Sequence, residues 1–182
     1  MQLEQLVTDH DSYMETYRTV ADWIRLTENR LQTYKDLTGD RHSVINRLER
    51  VQDLLRSTAN GGIKLNACDE CASIALKSTG ITGSQTIQRE LESLRHGWDQ
   101  CIVDITDSES RLKALAGRWK AYEDSCEKVG SWMKELEKTA KSNTGLSTLD
   151  EKKLLVKKYQ VKFSVPVQHT SFEIENFYLV VE

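Results

Sequence analysis

The sequence contains one long stretch, residues 85–141, in which apolar side chains recur with a seven-residue period. Alternate steps of four and three residues from Ile87 meet an apolar residue at every position except Ser108. The other members of this stripe are Leu91, Leu94, Trp98, Cys101, Ile105, Leu112, Leu115, Trp119, Tyr122, Cys126, Val129, Met133 and Leu136. A 3.5-residue period keeps one helix face against its neighbours when helices supercoil left-handedly. The stretch therefore predicts a single long helix in a coiled coil or helical bundle.

Composition agrees with a helical, ordered chain. The 182 residues are 38% hydrophobic and 29% charged, and they include one proline and nine glycines, too few turn formers for an all-β fold. The formal net charge of −3 gives no basic excess, which argues against a nucleic-acid partner. The amino-terminal residues have no signal-peptide pattern and no window is long and apolar enough to cross a bilayer, so we expect a soluble, cytoplasmic chain without direct membrane insertion.

An internal repeat organises the chain. The pair Trp23-Ile24 recurs as Trp132-Met133, and 132 − 23 = 109. The same shift relates Tyr13 to Tyr122, Leu3 to Leu112, Leu6 to Leu115, Val20 to Val129 and Glu28 to Glu137. Chance would match one such pair but not the whole set, so the chain contains a repeated unit of about 109 residues.

The repeat divides the chain into four predicted segments. Residues 1–8 look like the end of a preceding repeat helix, residues 9–115 form a complete unit, residues 116–160 form an incomplete second unit, and residues 161–182 form a tail outside the repeat. The complete unit has three predicted helices, at about residues 9–36, 41–76 and 85–115. A start in mid-repeat and an unrelated tail are what a fragment or a short isoform would show.

Breaks and caps fix the predicted helix boundaries. Leu37-Thr38-Gly39 separates the first two helices, Asp40 is placed to cap the second, and Ser84 to cap the third. Asn60-Gly61-Gly62 predicts a kink or fraying in the second helix unless packing compensates, because glycine destabilises a helix interior. Thr148 to Glu151 resembles a capping box that begins a short helix in the second unit.

The period of about 109 residues, the three helices, the pairs Trp23-Ile24 and Trp132-Met133, and Trp98 in a third helix that continues into the next unit resemble the spectrin repeat. Within that family the chain looks most like a nesprin-type giant linker of the cytoskeleton and nuclear envelope. The resemblance implies an all-α fold, a left-handed three-helix coiled-coil bundle whose long third helix leads into an incomplete second repeat. It covers residues 1–160 and includes neither an actin-binding module nor a membrane anchor.

Regular placement on the stripes predicts a structural core and a smaller set of candidate partner contacts. The predicted core residues are Trp23, Ile24, Leu48, Leu91, Trp98, Ile105, Leu112 and Trp132. The candidate partner contacts are Trp119, Met133 and Leu136. For Trp119, which the shift places opposite His10, packing at the junction between units and contact with a partner are equally consistent with the sequence.

Two clusters could in principle carry chemistry. Cys68 and Cys71 form a C-x-x-C, but no second pair accompanies them and the four histidines are scattered, so we interpret the thiols as packing residues. Asp104, Asp107 and Glu109 are acidic neighbours, which we interpret as a solvated helix face. We therefore predict no catalytic residue, no metal, no cofactor and no enzymatic activity.

The sequence favours a structural function. The resemblance implies a spacer or docking segment of a cytoskeletal linker that connects actin with a membrane or the nuclear envelope, with other cytoskeletal or scaffold proteins as partners. The alternative is a regulatory module whose incomplete second repeat is completed by a partner helix or by self-association. For the tail, a disordered end and strand addition to a partner both remain open.

Overall fold

In a computed structural model, which describes residues 2–142 and 148–157, the chain is all-α. Helix α1 spans Gln2–Tyr34, α2 spans Arg41–Ser78, α3 spans Ile81–Ser142 and a short α4 spans residues 149–157. No strand occurs among the described residues. This confirms the predicted all-α, spectrin-like helical bundle. The chain divides into two compact units, Met1–Ala114 and Leu115–Glu182, with the boundary inside α3.

The loop between α1 and α2 is fixed by one glycine and one arginine. Gly39 has a φ of 103°, a left-handed conformation that side chains other than hydrogen rarely adopt. The Arg47 guanidinium donates to the carbonyl oxygens of Asp36, at 3.1 Å, and Thr38. The Asp40 carboxylate accepts from the backbone N–H of Ser43 at 2.9 Å, which confirms the predicted N-cap. The loop thus sets where α2 begins.

The connection between α2 and α3 is shorter than the sequence predicts. Helix α3 begins at Ile81, four residues before Gln85, and the backbone N–H of Ser84 already donates to the Gly80 carbonyl at 2.9 Å. The Ser84 hydroxyl donates back to the Thr79 carbonyl at 3.0 Å instead of capping the helix. Two glycines close to this turn indicate a longer break by composition alone, but the backbone tolerates both inside or beside helix.

The core of the first unit lies where the stripes of α1, α2 and α3 meet. Its buried apolar residues are Tyr13, Val20, Ile24 and Leu31 from α1, Val44, Val51, Leu54, Cys68, Ala72 and Ala75 from α2, and Ile87, Leu91, Leu94, Cys101, Ile105 and Leu112 from α3. Polar contacts flank it: Arg95 donates to Asp69 at 2.8 Å and Gln52 to Glu109 at 3.3 Å. Each of these contacts joins α2 to α3.

The second unit contains the later part of α3 and helix α4. The predicted capping box is confirmed: the N–H of Thr148 donates to the Glu151 carboxylate at 3.1 Å, and the N–H of Glu151 to the Thr148 hydroxyl at 3.4 Å. Ser125 and Leu136 are its buried side chains among the described residues. The predicted tail, residues 161–182, lies outside the described residues, as do residues 143–147 and 158–160.

Candidate functional site: bundle core and exposed face

A tryptophan layer crosses the first unit. The rings of Trp23 from α1 and Trp98 from α3 lie 4.9 Å apart with 34° between their planes. Both side chains are half-buried. Stacked or tilted aromatic pairs at this distance stabilise a core beyond the area that they bury. The structure thus brings together two of the predicted core residues that are far apart in sequence.

The third member of this layer is Gly61 on α2. A Cβ atom at Gly61 would lie 2.6 Å from Cζ3 of Trp98 and 2.8 Å from Cε2 and Cζ2 of Trp23. No side chain fits at such distances without displacing an indole. Helix α2 continues unbroken through residues 60–62, because the two indoles pack on the helix where the glycine leaves room. This is the compensation that the sequence left open.

A buried hydrogen bond links α1 to α3 beyond the tryptophan layer. The Tyr13 hydroxyl donates to the Glu90 carboxylate at 2.8 Å, and the Tyr13 side chain is fully buried. Burial raises the pKa of Tyr13 far above its ordinary value, and the Glu90 carboxylate raises it further. The hydroxyl therefore stays protonated as a donor, and the pair fixes the relative height of the two helices.

The other predicted core residues divide by environment. Ile24, Leu91, Ile105 and Leu112 are buried in the first unit, and Leu48 is half-buried. Trp132, the repeat equivalent of Trp23, is half-buried in the second unit. The structure brings the residues of the first unit into one core.

The thiols of the C-x-x-C are in a packing environment. Cys68 is fully buried and Cys71 is half-buried. Burial raises the pKa of the Cys68 thiol, the opposite of what a reactive thiolate requires. Cys101 is also buried, and burial together with the nearby charges of Glu28 and Asp104 raises its pKa to about 11. These thiols are held in their neutral form in the folded unit.

The acidic neighbours on α3 each have a polar partner. Asp104 accepts from the Gln100 side-chain amide at 2.8 Å, and Asp107 lies 3.7 Å from Arg111. Glu109 accepts from Gln52, as described above. Within the part of the chain that the structure describes, no three His, Cys, Asp or Glu side chains are grouped so as to hold a metal ion.

The candidate partner contacts in the second unit differ from one another. Met133 is 59% exposed, whereas Leu136, one turn further along, is only 9% exposed and is a packing residue. Trp119 is half-buried and its ring meets that of Tyr122 edge-on at 6.0 Å. Of the three predicted contacts, Met133 presents the largest fraction of its side chain to solvent.

Helix α4 also presents apolar side chains to solvent. Leu149, Leu154 and Val156 are all exposed. Leu155 is half-buried. Together with Met133, these residues give the second unit more apolar surface than its short helices can cover among the described residues, and this surface is its candidate docking face.

Sequence reasoning missed two members of the core architecture. Gly61 was read only as a helix breaker, and Glu90 was not singled out. The signal for Gly61 is its position on α2 opposite the two tryptophans, which requires the pairing of three helices to be known. For Glu90, the signal is an acidic residue three positions after the apolar Ile87, which alone does not identify a tyrosine partner 77 residues away.

Comparisons with known proteins give one relative. The chain is 26% identical over 157 residues to the Muscle-specific protein 300 kDa of Drosophila melanogaster. The aligned stretch is 86% of this chain but 1% of that protein, so the chain spans about a hundredth of the relative's length. No protein-family model matches the chain, and no solved structure matches it. None of the described helices has both the length and the apolarity that crossing a bilayer requires.

Proposed function

We propose that this chain is a structural spacer and docking segment of a giant cytoskeletal linker protein. In this proposal its spectrin-like units separate and orient the functional ends of a much longer chain, which connects the actin cytoskeleton with a membrane or the nuclear envelope in the manner of nesprins. The segment has no catalytic function, and it resides in the cytoplasm, at the cytoskeleton or at the outer nuclear envelope through the parent protein. Its partners are cytoskeletal or scaffold proteins.

The similarity to the giant muscle protein is the observation that carries the proposal. It extends over 86% of the chain, so it includes both units and not one common helix. A segment that matches 1% of a relative's length is what one piece of a long tandem array would give. The internal shift of 109 residues within this chain supports the same interpretation.

The geometry of the first unit suits a mechanical element. Tyr13, Trp23 and Gly61 place contacts between different helices at successive levels of one core, so that stretching the unit must break them together. Helix α3 runs without interruption from Ile81 to Ser142 and belongs to both units. The backbone thus passes from the first unit to the second without a flexible loop.

Stretching the full chain between its two ends in an optical trap tests the spacer role. We expect the first unit, Met1–Ala114, to unfold in one discrete and reversible step. The step should release on the order of 400 Å of chain, at about 3.5 Å per residue. Trp98→Ala should lower the unfolding force, and the exposed control Val103→Ala should not. Gradual extension without a step would contradict a mechanical unit.

Retention in muscle cells tests the docking role. A fluorescently tagged full chain in striated muscle cells should recover slowly after photobleaching and should remain with the detergent-resistant filament network. Met133→Glu, on the candidate docking face, should speed recovery, whereas Ser110→Glu, on an exposed position of the first unit, should not. Free diffusion of the unaltered chain would contradict docking.

A second candidate function is a regulatory module whose second unit is completed by a helix from a partner. Met133 is 59% exposed and its repeat equivalent Ile24 only 8%, which favours an amphipathic helix as occupant of this face. The expected occupant has an apolar stripe like that of residues 87–105. Hydrogen exchange of the free chain distinguishes the two functions: weak protection at residues 119–136, increased by a peptide with that stripe, supports the module, and strong protection in a monomer contradicts it.

A further inference from the structure

The apolar stripe of α3 is interrupted inside the first unit by Ser108. Ser108 is only 9% exposed, and within the described residues its hydroxyl takes part in no hydrogen bond. A buried hydroxyl without a protein partner is destabilising unless water reaches it. The position that breaks the seven-residue pattern in the sequence is therefore also a weak point in the folded core.

A groove of about 300 Å³ lies beside Ser108, between α1 and α3. Its walls include the carboxylates of Glu28, Asp104 and Asp107 and the cations of Lys35 and Arg111. Because both signs of charge line the groove, no single ion is favoured there. Its volume is large enough for several water molecules, since each needs about 30 Å³. Water, and not apolar packing, therefore separates α1 from α3 at this level.

The opposite part of the same unit is packed much more closely. The indoles of Trp23 and Trp98 fill the space above Gly61 so completely that an added Cβ would overlap them. Further along, Tyr13 is tied to Glu90 by the buried hydrogen bond. The free energy of local opening follows how many buried contacts must break, so it should be lower at the groove than at the tryptophan layer.

We infer that the first unit contains a seam, formed by residues 28–35 of α1 and 104–111 of α3, that opens locally while the tryptophan layer stays packed, and that this opening makes Cys101 a conformationally gated thiol site. Cys101 lies one heptad before Ser108 on the same stripe and has no exposed surface in the closed unit. Glu28 and Asp104, two residues of the groove wall, are also the charged groups that act on this thiol. The inference does not depend on the proposed spacer role.

Cys68 provides an internal reference for the same measurement. It is as completely buried as Cys101, but it lies on α2 seven residues beyond Gly61 and interacts with Thr16 of α1, away from the groove. When a buried thiol reacts only in an open state, its rate is the opening equilibrium constant multiplied by the rate of an exposed thiol. The ratio of the two rates therefore compares opening at the seam with opening elsewhere in the unit.

Native-state alkylation with N-ethylmaleimide, read by peptide mass spectrometry, tests the inference on the full chain. In this addition the thiolate sulfur bonds to one alkene carbon and a proton from water adds to the other, so nothing leaves. We expect Cys101 to react at least about tenfold faster than Cys68, the ratio for opening free energies that differ by a local and a larger event. Equal rates, or a faster Cys68, would overturn the seam.

Filling the stripe should close the seam selectively. Ser108→Leu should slow alkylation of Cys101 by about tenfold, because a buried leucine replaces the hydroxyl and extends into the groove. Ser108→Ala, which needs no extra space, should slow it by about threefold because it removes the unpaired hydroxyl. Neither change should alter the rate at Cys68 as much as the rate at Cys101.

The exposed neighbour Ser110 supplies the control. Ser110→Leu and Ser110→Ala, on the same helix, should leave both rates unchanged. If Ser108→Ala leaves the Cys101 rate unchanged, or if the Ser108 variants slow both thiols equally, then the thiols react through unfolding of the whole unit and the seam does not exist as a separate opening.

Discussion

The first and second units carry matching residues in opposite environments. Tyr13 is fully buried and Tyr122, 109 residues later, is 37% exposed; Ile24 and Met133 differ in the same direction. The sequence pattern around these residues is nearly the same in both units. The difference teaches that an apolar stripe specifies a helix face, whereas burial depends on which helices are present to cover it.

The comparison is not uniform along the stripe. Leu136 is as buried in the second unit as its equivalent Thr27 is in the first. The largest contrast therefore lies near the middle of the stripe, around Met133. Substitutions at paired positions measure how much of the stability of each stripe comes from the helices that cover it.

Removal of a tryptophan should give the largest effect. Trp98→Ala should lower the free energy of unfolding of the first unit by about 4 kcal/mol, because it removes half of the tryptophan layer and leaves a cavity over Gly61. Trp119→Ala in the second unit should lower it by less than about 1.5 kcal/mol. Urea denaturation followed by circular dichroism gives both values, and equal losses would show that the two stripes are covered equally.

The equivalent pair Ile24 and Met133 should give the next largest difference. Ile24→Ala should destabilise the first unit by about 3 kcal/mol, since it empties a buried site. Met133→Ala should change stability by less than about 0.5 kcal/mol, as at most exposed positions. The same denaturation experiment applies. A loss at Met133 as large as that at Ile24 would mean that this face is covered in solution.

Two adjacent glycines should respond with opposite signs. Gly61→Ala should destabilise the first unit by about 1 kcal/mol, because displacing two indoles outweighs the better helix propensity of alanine. A Cβ at Gly62 would lie 3.9 Å from Cζ2 of Trp98, an ordinary contact. Gly62→Ala should therefore stabilise by about 0.5 kcal/mol through propensity alone. Thermal unfolding of the two variants gives the signs, and stabilisation by both would remove the tight layer from the explanation of the first unit's stability.

The smallest effect concerns pH and the start of α2. Hydrogen bonds with Ser43 hold the pKa of Asp40 below its usual range. A carboxyl whose pKa is lower in the folded state stabilises the fold above its unfolded pKa, and this contribution is lost as the pH falls below about 4. Asp40→Asn should keep the cap and reduce the acid sensitivity of the first unit, although Asp36, whose pKa is also lowered through Thr38, retains part of it.

Acid titration of the helical signal in the two chains measures this difference. The unaltered chain should lose stability earlier on acidification than Asp40→Asn. Identical acid transitions would show that the cap makes no titratable contribution to the first unit.

Much of the fold was predictable because helix formation depends on local pattern. The seven-residue stripe predicted one long helix, and α3 includes the whole predicted stretch. The caps at Asp40 and Thr148 were predictable for the same reason, since their hydrogen bonds connect residues three apart.

The features that the sequence did not predict depend on packing between helices. The uninterrupted path of α2 through Gly61 requires two indoles from different helices to converge on one point. The burial of Leu136 beside an exposed Met133 depends on neighbours that the stripe does not specify. Ser108 was visible as a break in the pattern, but the groove beside it forms only when charged residues of α1 meet those of α3.

The tryptophan layer also has an optical consequence. Two indoles held 4.9 Å apart with their planes inclined by 34° are coupled chromophores, and coupled transitions at a fixed angle give a split band in circular dichroism. Trp119 and Trp132 belong to the second unit and are not part of that ring pair. The first unit therefore carries its own spectroscopic marker, which disappears when the indoles separate and which requires no added label.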